Sequence, residues 1–238
     1  MPAKHSKRFR AAVDELEDAR FYTPAEAVEL VKKTASAKFD ETVEIHLRTN
    51  ADPRHADQQL RGVATLPHGL GKNVRVAVFA AGEAVRAATD AGAEIVGSDD
   101  LVERIEGGFL DFDVTIATPD LMGKIGKLGR ILGRRGLMPN PRTGTVVQPN
   151  DIAEAVREAK KGRVELRMDR TAIIHSAIGK ASFDADQLVE NLAAVIDTVN
   201  RLRPEGIKGP FVKTAYLTTT MGPSIPLDLA STLTLKVE

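Results

Sequence analysis

The chain has 238 residues, 42% of them apolar and 28% charged, with 33 basic and 33 acidic side chains and a formal net charge of zero. This composition is globular, and the length suits two domains better than one. It contains no cysteine, which excludes disulfides, thiolate nucleophiles and sulfur-ligated metals and fits a reducing, cytoplasmic compartment.

No apolar run approaches the roughly 18 residues of a membrane span, so no membrane contact is expected. The start, Lys4-His5-Ser6-Lys7-Arg8-Phe9-Arg10, imitates the basic part of a signal peptide. Asp14-Glu15-Leu16-Glu17-Asp18 is acidic where an apolar stretch belongs, so export is not expected. Thr23-Pro24-Ala25-Glu26 spells a helix start, with Thr23 as N-cap, Pro24 at the first helical position and Glu26 closing a capping box. Ala27, Val28, Leu30 and Val31 supply its apolar face. Val43, Ile45 and Leu47 then alternate with Thr42, Glu44, His46 and Arg48, the period of a strand buried on one side with a polar face to spare. A turn at Asp52-Pro53 and a second strand over 62–66 precede Pro67-His68-Gly69-Leu70-Gly71.

From Asn73 the pattern changes to strand and helix in alternation. The reading is a strand over 74–81, a helix over 84–91, a short strand near Ile95-Val96, a helix from Asp99 and a strand over 114–117. That order predicts a parallel sheet with crossover helices, a small doubly wound domain. A glycine-punctuated helix after Pro119 leads into the loop Met138-Pro139-Asn140-Pro141-Arg142-Thr143-Gly144, and a helix follows over 151–161. From Leu121 to Gln148 the chain carries Lys124, Lys127, Arg130, Arg134, Arg135 and Arg142 and no acid. Such a run matters more to a phosphate than the chain total, because charges are felt within about a Debye length, roughly 8 Å.

Beyond Gly162, Val164, Leu166 and Met168 face one way and Arg163, Glu165, Arg167 and Asp169 the other, with 173–178 expected to pair with them as a hairpin. A long helix over 185–202 puts Leu188, Leu192, Val195, Ile196 and Val199 on one side, and a last strand covers 211–220. Neither terminal segment has enough elements to bury its own sheet. The fold class expected is therefore α/β with two lobes: a discontinuous α+β lobe from 1–70 and 161–238, and an inserted doubly wound lobe over 71–160. Glycine-containing crossings near 69–71 and 161–162 form a natural hinge.

Catalytic and cofactor motifs are missing. Gly69-Leu70-Gly71 precedes a strand where a dinucleotide fingerprint follows one. Gly126-Lys127 and Gly179-Lys180 are followed by Leu128 and Ala181, not by the hydroxyl residue of a P-loop. His5, His46, His55, His68 and His175 lack the spacing of local metal sites. No cofactor, no metal and no enzymatic activity are expected; a nucleotide-dependent α/β enzyme is the disfavoured alternative.

The chain resembles the bacterial L-one family of large-subunit ribosomal proteins nearly end to end. The similarity is carried by Lys38-Phe39-Asp40-Glu41-Thr42-Val43, Asp52-Pro53-Arg54, Leu66-Pro67-His68-Gly69-Leu70-Gly71-Lys72 and Ala117-Thr118-Pro119-Asp120-Leu121-Met122. It continues through Leu128-Gly129-Arg130-Ile131-Leu132-Gly133, Gly136-Leu137-Met138-Pro139-Asn140-Pro141, Gly179-Lys180-Ala181-Ser182-Phe183 and Thr218-Thr219-Thr220-Met221-Gly222-Pro223. The resemblance implies a Rossmann-like insert. It also implies binding to the mobile stalk of large-subunit ribosomal RNA beside the tRNA exit site, help in releasing deacylated tRNA, and repression of translation through the leader of the protein's own message. A free repressor that never joins the ribosome is a further reading that the sequence leaves open. The chain is expected to be monomeric off the ribosome.

RNA contacts are expected from Lys38, Phe39, Thr42, Glu44, Arg167, Asp169, Arg170, His175, Thr218, Thr220, Met221 and Gly222, with Lys127, Arg134 and Arg135 as a secondary phosphate surface. Hydroxyls, carboxylates and backbone groups on a rigid strand face suit 2′-hydroxyls and base edges. The sequence departs from the family at Arg167-Met168-Asp169-Arg170-Thr171-Ala172, where Arg-Asn-Asp-Lys and a later glycine are the pattern. Met168 lacks an amide, and Ala172 is a poor choice if the turn needs positive φ.

Overall fold

The computed structural model describes residues 6–17 and 19–236; Lys4 and His5 of the basic start and Asp18 of the acidic stretch lie outside them. In chain order the helices and strands are α1 (Lys7–Asp14), α2 (Pro24–Thr34), β1 (Thr42–Thr49), β2 (Arg61–Thr65), β3 (Val76–Phe79), α3 (Glu83–Asp90), β4 (Ile95–Gly97), α4 (Asp99–Glu106) and β5 (Val114–Ala117). There follow α5 (Met122–Ile125), α6 (Gly129–Arg134), α7 (Ile152–Gly162), β6 (Arg163–Arg167), β7 (Ile173–Lys180), α8 (Ala185–Arg201), β8 (Val212–Thr219), β9 (Ile225–Pro226) and α9 (Leu229–Leu233). They form two compact units, one of the described residues through Gly71 together with those from Val164, the other Lys72–Arg163. The chain leaves the first at Gly71 (φ 68°) and comes back after Gly162 (φ 103°), both in the left-handed region where a side chain is strained. At Gly71 an added Cβ would also stand 2.7 Å from the Phe183 ring.

The first unit is built on a four-stranded sheet in the order β7-β1-β8-β9, antiparallel throughout. Alternation along β1 decides its burial: Val43, Ile45 and Leu47 are fully buried, while Thr42, Glu44 and His46 are half-buried and Arg48 is exposed. The inner residues pack with Ala27, Val28 and Val31 of α2 and Leu188, Leu192, Val195, Ile196 and Val199 of α8 in one core. Each buried Val, Leu or Ile among them contributes about 1.5–3 kcal/mol by leaving water. The capping box read at Thr23 forms, with Glu26 accepting from the Thr23 N–H at 3.0 Å. Asn191, fully buried on α8, donates to the carbonyls of Gly69 (3.0 Å) and Ile178 (2.7 Å) and accepts from the His68 N–H (3.0 Å). It ties the 68–69 segment to β7.

Three elements differ from the sequence expectation. β6 pairs with β2 in a separate two-stranded sheet, and the chain beyond it meets β7 in a bridge between Met168 and Ile174 and a hydrogen bond from the Asp169 N–H to the Ile173 carbonyl (2.9 Å), so the expected pairing of 163–168 with 173–178 is confined to the turn. The cause is the turn between them. The Asp169 carboxylate gathers the N–H groups of Thr171 and Ile173, each at 2.8 Å, and Ala172 stands at φ 63°, so the chain leaves β6 and delivers β7 to the edge of β1. The segment after Pro119 is not one helix but α5 and α6 set between 3-10 turns, since glycine at 123, 126, 129 and 133 weakens helix in every turn. The basic start forms α1, capped by the Ser6 hydroxyl and with no buried residue.

The second unit has a three-stranded parallel sheet in the order β4-β3-β5. All four residues of β3 are buried, because both faces are covered. Val76 and Val78 pack with Ala84 and Ala88 of α3 and Ile152 and Val156 of α7. Ala77 and Phe79 pack with Leu101 and Ile105 of α4 and with Ile125, Leu128 and Leu132. In the turn after β3, where doubly wound units cradle a phosphate, the helix begins with Glu83.

Candidate nucleic-acid interface

Strand register turns the polar side of the first unit's sheet into rows. Thr42 of β1 lies between Lys180 of β7 and Thr220, Glu44 between Ala177 and Thr218, His46 between His175 and Tyr216, and Arg48 between Ile173 and Thr214. Successive rows are about 6.6 Å apart, so the face runs roughly 20 Å along β1. Thr42 and Glu44 thus join Thr218 and Thr220 on one surface. The first row is cross-linked: Lys180 donates to the Thr42 hydroxyl at 2.9 Å, and the Thr42 N–H donates to the Thr220 hydroxyl at 3.1 Å. Thr218 turns its hydroxyl to the carbonyls of Thr219 (3.0 Å) and Pro223 (3.2 Å), which steadies the turn that follows.

That turn raises Met221, 50% exposed, beside a loop that raises Phe39, 56% exposed. Both are placed by Glu41, which is 2% exposed and accepts from the backbone N–H of Ala37 at 2.8 Å and of Met221 at 2.9 Å. Burial pushes the Glu41 carboxyl up, but the hydrogen bonds around it, those from the Ala37 and Met221 N–H groups foremost, together outweigh it and hold it below the usual carboxylate range. Lys38 is exposed on the same loop. Asp40 fixes the loop from the other side by accepting from the Ser182 N–H (3.1 Å) and hydroxyl (2.8 Å). Gly222 is required from within: a Cβ there would run into the Thr219 hydroxyl.

The remaining expected residues are not all on this face. Arg167 is exposed at the end of β6, in the two-stranded sheet. Asp169 is occupied with its own turn. Burial raises its carboxyl, yet the Thr171 hydroxyl and the N–H groups of Ile173 and Thr171 bring it down to about 2. Met168 points into the core, where its sulfur receives the Thr49 hydroxyl at 3.3 Å. Arg170 shares a recess of about 470 Å³ with Arg48, Arg54 and Lys213 at the far end of the sheet. His175 is exposed on β7, with its Nδ1 2.8 Å from Nδ1 of His46. In the second unit Lys127, Arg134 and Arg135 are exposed, while Lys124 of the same run is held by Asp99 at 2.7 Å.

His46, Tyr216, Lys180 and Glu41 were passed over as contacts or organisers by sequence reasoning. His46 and Tyr216 share the outward phase of their strands with the chosen residues, which is a signal; the burial of Glu41 left none. Among the described residues no group of three or more histidine, aspartate or glutamate side chains is arranged to hold a metal, and no helix is long and apolar enough to cross a membrane.

An open polar sheet face with raised apolar side chains at one end, on a unit assembled from both ends of the chain, is a candidate binding surface, and a family model supplies its class, that of ribosomal proteins. The model described as the ribosomal protein L1p/L10e family matches residues 31–223, and the chain belongs to this family of structural, non-enzymatic proteins. It is 57% identical to the large ribosomal subunit protein uL1 of Chloroflexus aggregans over 235 residues, covering 98% of this chain and 99% of the relative. It is equally similar, at 57% over 225 residues, to the proteins of the same name from Dehalococcoides mccartyi and Thermobifida fusca, with 94% of this chain and 95% of each relative covered.

Proposed function

We propose that this chain is a constituent of the large ribosomal subunit, in the cytoplasm, and that it holds the mobile ribosomal RNA stalk near the tRNA exit site through the polar face of β7, β1 and β8. The observation that carries the reading is the uncovered face itself, with Phe39 and Met221 raised at one end and held from beneath by Glu41. RNA presents 2′-hydroxyls and base edges that hydroxyl, carboxylate and backbone groups of a rigid strand face can pair with, while the two apolar side chains cover an unstacked base or a ribose. Lys38, Thr42, Glu44, Thr218, Thr220 and His175 complete that contact, and Gly222 brings the chain backbone close. Arg167 and Arg170 meet phosphates at its margin, where Asp169 fixes the turn.

In this role the chain moves with the stalk and assists release of deacylated tRNA. The same surface binds the leader of its own message and represses it. Off the ribosome the chain is a monomer. Binding of a structured stalk RNA fragment, compared with the same nucleotides scrambled, tests the core of the reading. The structured RNA is expected to bind tighter, and Met221→Asp to weaken it by at least about tenfold, because a carboxylate facing phosphates is repelled. Thr220→Val is expected to lose several-fold through one hydroxyl. Equal affinity for the scrambled RNA would sink the proposal.

A further inference from the structure

Near the middle of the polar face, one row carries three rings side by side: His175 on β7, His46 on β1 and Tyr216 on β8. The two imidazoles meet edge to face, centroids 4.9 Å apart, and Tyr216 is 38% exposed. With Nδ1 to Nδ1 at 2.8 Å, one ring must donate and the other accept. Their Nε2 atoms face carboxylates, His46 toward Glu44 at 3.9 Å and His175 toward Asp169 at 3.6 Å. Arg48 lies one row further along β1, and Lys180 two rows the other way.

We propose that the His175–His46–Tyr216 row is a contact for RNA in which Tyr216 stacks on a base and the imidazole pair takes up a proton to receive a phosphate. The proposal rests on the reading that this face binds RNA. Charge counting supports it. With the pair neutral, Arg48 stands with Glu44 and Asp169, and a phosphate meets no net attraction. One added proton leaves the Nδ1 hydrogen bond intact, since it enters at an Nε2, and cancels the excess negative charge. Burial, then the neighbouring His175, hold His46 below the ordinary histidine value despite Glu44, so the His46 ring is itself mostly neutral near pH 7 in the free protein. A phosphate over the pair reverses the balance and raises the value in the complex. The sign follows. The protonated form binds tighter, so affinity is highest in acid and falls as pH rises through the value in the complex.

The test is titration of the full chain with the structured stalk RNA from pH 5.5 to 8.5 at constant ionic strength. Each unit by which binding raises the pair's pKa gives up to about tenfold tighter binding at the acid end. His46→Gln should remove most of that pH dependence, flattening the profile between pH 5.5 and 8.5. His46→Lys, with a fixed charge, should keep acid-like affinity at pH 8.5, and Tyr216→Ala should weaken binding at every pH. A pH profile unchanged by His46→Gln overturns the proton-linked contact, even where Met221→Asp still weakens binding and the face is upheld. If Met221→Asp has no effect and the wild type does not distinguish structured from scrambled RNA, the face itself is wrong and the row falls with it.

Discussion

At the scale of single residues, the turn between β6 and β7 carries a correctable strain. Ala172 is 8% exposed and sits at φ 63°, a conformation that costs an L-residue about 1–2 kcal/mol and glycine little. Its carbonyl accepts the Thr49 hydroxyl and the Thr49 N–H, both at 2.8 Å, so the strand end holds it there. Ala172→Gly is therefore expected to stabilise the protein by roughly 0.5–1 kcal/mol, the relief being partly offset by the greater freedom of glycine in the unfolded chain. A urea midpoint that moves down instead would show that the methyl packing outweighs the strain. Met168, one turn earlier, faces the core next to Thr49, so the missing amide at this position changes the packing beneath the sheet and leaves the polar face as it is.

At the scale of elements, Glu41 couples two segments that are 180 residues apart in sequence, joining the Ala37 N–H before β1 to the Met221 N–H after β8. Glu41→Gln keeps one acceptor and leaves one part-buried N–H facing an amide, at a cost of roughly 1 kcal/mol. The pH sign is that of a depressed acid. The contribution is full above the ordinary glutamate value, about 4.3, and is lost as pH falls through the lower value in the folded state. Thermal melts of wild type and variant should converge in acid, and RNA affinity at neutral pH should fall in the variant although Glu41 is buried; melts that differ equally at every pH would refute the role of the charge. The individual strands were legible because inward and outward residues alternate, and α2 and α8 because a capping box and an apolar stripe mark them. Pairing was less so. β6 and β7 alternate equally well, and only the turn at 169–172 decides that they part. The row of His46, His175 and Tyr216 depends on register across three strands, including the shift between Val43 and Glu44, which no local pattern reveals. Helix α1 escaped notice because nothing on it is buried.

At the scale of the molecule, each unit has its own core, and zero net charge conceals uneven surfaces. The second unit's Lys127, Arg134 and Arg135 are expected to meet RNA phosphates as a weaker surface. Arg134→Ala or Arg135→Ala should weaken binding to every RNA modestly and lower the slope of log affinity against log salt by about 0.9 for each phosphate that is no longer neutralised. A slope that stays put would remove this surface from the interface. The first unit's sheet also ends in a particular way. Its β9 rim is two residues long, Pro226 brings no N–H to it, and the Pro226 carbonyl is taken by the Tyr22 N–H at 3.0 Å. At the β7 rim, Ile178 gives its carbonyl to Asn191. A strand laid against either rim would therefore find the Pro226 and Ile178 carbonyls already taken, so the sheet offers a partner strand an interrupted ladder.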